Sequence, residues 1–195
     1  MEQHDVEQGT APGALSGSAR GRGIRHRWPS ALGLGVAALL LAAGVADRGL
    51  LAIGVTVAAS CYLAAAALGR PWVAWASIVG APLVVVASEV VGLAWWAGLG
   101  VTGLALVAVG LRRGALRPTL LQGAALLGFG TPAVVALALD PRAGVVLAGL
   151  TLAGHAGWDA VHHRRGEVVP RSMAEACMVF DVLLGLGCIV LALPS

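Results

Sequence analysis

Residues 72–111 read WVAWASIVGAPLVVVASEVVGLAWWAGLGVTGLALVAVGL, and Glu89 is the only charged residue among them. As one helix this stretch would run about 60 Å, twice what a bilayer's hydrocarbon core requires. It must fold back, and Ser88 with Glu89 marks the point where it meets a surface. Two spans result, Trp72–Ser88 and Val90–Leu111. The aromatics agree with this. Trp72 and Trp75 open the first span, whereas Trp95 and Trp96 follow Glu89 at the opposite interface, where amphipathic rings anchor.

The same requirement of about 20 mostly apolar residues per crossing divides the rest of the chain. The further runs are Ala31–Ala46, Leu50–Leu68, Thr119–Leu139, Ala143 to about Val161, and Ala174–Leu193. The expected fold is an all-α polytopic transmembrane bundle of about seven spans, covering residues 30–195. Composition excludes a soluble domain. The chain is 58% hydrophobic and 12% charged, against about 45–50% and about 25% for typical soluble proteins. Its mean hydropathy is +0.85.

Residues 1–29, rich in Gly, Ser, Ala and Arg, have no apolar period and read as a disordered basic tail. Their arginines lie flush against the first span, which points to topology and anionic lipid rather than nucleic acid. The short first span, with GVA before Asp47, also has the outline of a cleavable signal. The length of the preceding tail and the many later spans favour an uncleaved helix.

The chain has no lysine, so arginine alone sets orientation. Four arginines lie in the tail, one at Arg70, three at Arg112, Arg113 and Arg117, and three at Arg164, Arg165 and Arg171. Only Arg48 and Arg142 fall on the other side. The positive-inside rule then places the N-terminus in the cytoplasm. A multi-pass protein of a bacterial cell membrane is expected, with the lipid bilayer as its partner and no nucleic acid.

One stretch carries chemistry. GHAGWDAVHHRR, residues 154–165, contains three of the five histidines. At about 100° per residue, His155, Asp159, His162 and His163 share one face of the sixth helix. Asp181 on the seventh helix matches His155 in depth, and consecutive helices joined by a short loop pack side by side. Ionisable groups at that depth face the bundle interior and pair, so His155 and Asp181 are expected to face each other.

Imidazole and carboxylate together suit zinc and similar divalent metals. The candidate ligands are His155, Asp159, His163 and Asp181, with His162 and Glu175 as supporting polar residues. Cys177 is close enough in depth to Asp159 to be a further ligand, although a small buried hydrophobe is the better reading. A site with one open position would permit metal-assisted hydrolysis. Two alternatives stand beside it. The cluster can be structural, with His162 and His163 in interfacial water, Asp159 paired to Arg164 or Arg165, and His155 locked to Asp181. It can also exchange protons, since histidine titrates near neutrality.

Lesser signals are a Gly149, Ala153 and Gly157 stripe suited to close helix packing and Pro132, expected to kink the fifth helix. Glycines occur within apolar runs, not between a strand and a helix, so no phosphate-binding loop is present.

GHAGWDAVHH followed by VVPRSMAEACMVFDVLLG resembles the C-terminal signature of small bacterial integral membrane proteins of actinobacterial type. That resemblance implies a family and no assigned activity. More distantly, the span count and the His and Asp residues are similar to the alkaline ceramidase and adiponectin-receptor-like hydrolases. This similarity implies a zinc-dependent hydrolase acting on a lipid-like substrate. The sequence departs from that pattern in that its first five helices contain no histidine. A small proton-coupled transporter is the remaining alternative.

Overall fold

The computed structural model describes residues 27–45 and 47–193. The expected tail, up to residue 26, and the expected cleavage point at residue 46 lie outside them. Among the described residues there are seven helices and no strand: α1 (Trp28–Ala42), α2 (Arg48–Leu68), α3 (Val73–Val90), α4 (Trp95–Arg112), α5 (Leu116–Ala136), α6 (Pro141–Arg165) and α7 (Arg171–Ala192).

Helix boundaries follow local chemistry. Asp47 caps α2 by accepting from Leu50 N at 2.8 Å. Asp140 caps α6 by accepting from Arg142 N and Ala143 N at 3.1 Å, with Pro141 pre-set for the first turn. Gly69 and Gly166 end α2 and α6 in the left-handed conformation, at φ 61° and 66°.

The 72–111 stretch does fold back, but later than Ser88–Glu89. Helix α3 continues to Val90, and Gly92, at φ 73°, turns the chain. The displacement has a packing cause. Ser88 is buried, its hydroxyl donates to Val84 O at 2.7 Å, and α4 lies against it through Gly98. A Cβ on Gly98 would come within 1.8 Å of Ser88 Oγ. Ser88 therefore belongs to a helix contact, and Glu89 alone is exposed.

Five helices, α2, α3, α4, α5 and α7, are long and apolar enough to cross a membrane. Helix α1 is shorter, at 15 residues. Helix α6 is long enough at 25 residues but carries His155, Asp159, His162 and His163, which lower its hydropathy. The outer faces are apolar, as Val79, Leu83, Val101, Leu104 and Leu127 are all exposed.

Helix α2 is the axis of the bundle. Of its apolar stretch 83% is buried, against 22–33% for the other four membrane-length helices. Its run of Ala, Ser, Thr and Cys lets neighbours approach closely, and α3, α4, α5 and α6 pack around it. Thr56 and Ser60 satisfy their hydroxyls on carbonyls one turn back, each at 2.7 Å.

Helices α6 and α7 form the tightest pair. A Cβ on Gly149 would lie 2.8 Å from the Gly185 carbonyl oxygen, and one on Gly185 would lie 2.5 Å from that of Gly149. Ala153 borders the same contact, whereas Gly157 has nothing within 4 Å. The expected small-residue stripe thus works over its first two positions only. Helix α5 continues through Pro132. Helix α1 packs chiefly on α7, with Gly33 against the Ala176 backbone.

Candidate metal centre

Helix α6 presents His155 and Asp159 one turn apart on its inner face, and α7 presents Asp181 to the same point. His155 precedes the end of α6 by as many residues as Asp181 follows the start of α7, about 15 Å of helix in each case. Their side chains meet. His155 Nδ1–H donates to Asp181 Oδ2 at 2.9 Å, and Asp159 Oδ2 lies 3.4 Å from the same nitrogen. His155 and Asp159 are completely buried and Asp181 is 1% exposed.

Two residues from other helices close the site. Tyr62 on α2 donates its hydroxyl to Asp159 Oδ1 at 2.5 Å. Its ring meets the His155 ring edge-on at 5.6 Å between centroids. Phe129 on α5 also packs edge-on with the imidazole, at 4.9 Å between centroids. Two polar atoms here have no hydrogen-bond partner, His155 Nε2 and Asp159 Oδ2.

The charge balance is unusual for an apolar interior. Two carboxylates face one imidazole, and among the described residues the only ion pairs are the two contacts of His155. Buried charge without compensation costs several kcal/mol per ion, so two aspartates with no arginine demand protons or a cation. The donor set fits a cation. One ligand atom from each of His155, Asp159 and Asp181 falls within 4.8 Å of the others. Bonds of about 2.0–2.2 Å to zinc put neighbouring donors about 3.3 Å apart, within reach of small side-chain rotations here.

The other expected ligands stand apart. His163 turns to the α6–α7 connection, where its Nδ1–H donates to Arg171 O at 3.1 Å. It shares a helical face with His155 but sits two turns away, about 12 Å along the axis, too far for one ion. Glu175 accepts from Ser30 Oγ and so ties α7 to α1. Cys177 is not among the converging donors.

His162 is buried, not bathed in interfacial water. Its Nδ1–H donates to Trp158 O at 2.9 Å, and its Nε2 accepts from Gln122 Nε2 at 2.9 Å. Gln122 Oε1 in turn accepts from Trp158 Nε1 at 3.0 Å. This closed ring fixes the neutral Nδ1–H tautomer of His162 and sets it beside the trio as a support. Asp159 bonds Tyr62 and approaches His155, and neither Arg164 nor Arg165 pairs with it.

Sequence reasoning missed Tyr62, Gln122 and Phe129. A signal for two of them exists. Tyr62 is the only tyrosine of the chain. It precedes the end of α2 by as many residues as Asp159 precedes the end of α6 and Gln122 follows the start of α5. Polar groups at one depth in neighbouring helices invite pairing.

A surface groove of about 740 Å³ between α2, α4 and α5 is lined by Thr56, Leu63, Leu99, Gly103 and Gly130 among others and shares no residue with the trio. The described residues therefore form an all-helical protein with several membrane-length helices and one buried His/Asp cluster. Compared with protein-family models, curated proteins and solved structures, the chain has no match.

Proposed function

We propose that this protein is a seven-span integral membrane protein of a bacterial cell membrane that holds a divalent metal such as zinc on His155, Asp159 and Asp181. The observation that carries the reading is the pairing of two buried carboxylates with a single imidazole and no arginine. A divalent cation neutralises both carboxylates at once. The eleven arginines on one side against Arg48 and Arg142 on the other support a cytoplasmic N-terminus. The bilayer is then the protein's surroundings and its main partner, with no role for nucleic acid.

The test is elemental analysis of detergent-purified protein beside His155→Ala and Asp181→Asn variants of unchanged helicity. About one zinc per chain is expected, lost in both variants. A folded sample that takes up no metal after zinc is supplied overturns the reading. If metal is found, hydrolysis of lipid-like substrates is the first reaction to screen, since a bound metal with an open position activates water.

A second reading has its own observation. The 2.9 Å contact between His155 Nδ1 and Asp181 Oδ2 is a complete hydrogen bond without any metal, as a proton-exchanging pair requires. Proton flux in vesicles that stops in Asp181→Asn, from protein without metal, favours this reading.

A further inference from the structure

The chain alternates direction, so the ends of α2, α4 and α6 and the starts of α3, α5 and α7 share one end of the bundle. Arg112, Arg113, Arg117, Arg164, Arg165 and Arg171 are all exposed there. Among the described residues none of them pairs with a carboxylate, because only His155 makes ion pairs. The starts of α3, α5 and α7 at this end also lack a capping side chain. At the opposite end Asp47 and Asp140 cap α2 and α6.

Three of the arginines come from one tight connection. Arg164 and Arg165 end α6, Gly166 turns the chain at φ 66°, and Arg171 begins α7. The Arg171 guanidinium folds over that glycine, where a Cβ would lie 3.0 Å from Arg171 Nε. His163 holds the Arg171 carbonyl through its own hydrogen bond. Two tryptophans set the level of this end. Trp28 and Trp72 are 50% and 60% exposed, and Trp28 stacks on Trp75 at 5.7 Å. Exposed indoles of this kind lie among lipid headgroups.

We infer that the arginine end is a docking surface for anionic phospholipid headgroups, with its strongest subsite formed by Arg164, Arg165 and Arg171 at the α6–α7 turn. Guanidinium forks match phosphate oxygens in pairs. The cations left unpaired within the chain are complementary to a negatively charged leaflet. Apolar outer faces and headgroup-level tryptophans favour a lipid over a nucleic acid as the source of those phosphates. The surface is independent of the metal reading.

The test is native mass spectrometry of the full chain, released from detergent with added phosphatidylglycerol or phosphatidylcholine. Phosphatidylglycerol is expected to be retained at least about tenfold better, with retention falling as NaCl is raised. Arg164→Gln, Arg165→Gln and Arg171→Gln together are expected to weaken it by about fivefold per arginine. Arg48→Gln with Arg142→Gln, at the opposite end, is expected to change nothing. If the triple variant does not fold, the lipid preference and salt dependence of the unaltered chain still decide. Equal retention of the two lipids overturns the inference, as does full retention by a folded triple variant. Thermal stabilisation by inorganic phosphate or a short oligonucleotide as large as that by phosphatidylglycerol also overturns it.

Discussion

The Tyr62 hydroxyl donates to Asp159 Oδ1 across 2.5 Å and thereby joins the central helix α2 to α6 inside the bundle. The bond uses one carboxylate oxygen and leaves Oδ2 facing His155. Groups that orient a ligand from behind typically change metal affinity by about 10–100-fold. Tyr62→Phe keeps the ring and removes only the hydroxyl, so zinc affinity should fall by that order while far-UV circular dichroism stays unchanged. Competition with a fluorescent chelator measures it, and equal affinities would mean that Asp159 orients itself.

The trio should also behave as one unit in stability. Removing His155 leaves two buried carboxylates facing each other, and breaking a buried pair from one side costs about 3–5 kcal/mol. His155→Ala and Asp181→Asn should therefore be non-additive, with a coupling of about 0.5–3 kcal/mol. A double-mutant cycle on reversible unfolding in mixed micelles gives the number. Strict additivity would argue that the 2.9 Å contact carries no energy.

Metal occupancy should fall as pH is lowered. Each ligand must be unprotonated to bind, so protons compete with the ion and binding releases them. Equilibrium dialysis against zinc at pH 8 and at pH 5 should show clear loss at the lower value, restored on returning to pH 8. Occupancy that is flat over this range would place the ion elsewhere.

Packing of α6 on α7 predicts a contrast between two glycines of one helix. Gly149→Val forces branched carbons onto the Gly185 carbonyl, already 2.8 Å from a Cβ, and overpacking of this kind costs about 1–3 kcal/mol or more. Gly157→Ala meets nothing within 4 Å and should be neutral or slightly stabilising through helix propensity. Thermal denaturation of the two variants separates them. Equal midpoints would show that the α6–α7 contact tolerates a wider spacing.

Much of the fold was legible because a bilayer imposes length and hydropathy on every span. Residues 72–111 had to fold back, and they do. The turn was misplaced by a few residues because a lone charge, Glu89, marked it less well than Gly92, whose left-handed backbone stops the helix. The meeting of His155 and Asp181 followed from equal depth on consecutive helices. His163 shows that a shared helical face is not a shared site, because eight residues bring it back to the angle of His155 but about 12 Å along the axis. Tyr62 and Gln122 were hidden for another reason. Their helices are remote in sequence from α6, and which remote helices surround α6 is set by the whole bundle.

The packing of α1 on α7 bears on how the protein is made. Ser30 on α1 and Glu175 on α7 are hydrogen-bonded across 145 positions. At about 5–20 residues per second, the ribosome needs roughly 7–30 s to travel between them. Throughout that interval α1 exists without its chief neighbour. His155 and Asp159 are likewise made before Asp181 exists. Assembly of the bundle is therefore timed by the synthesis of α7, which supplies the surface for α1 and the last carboxylate of the trio in a single event.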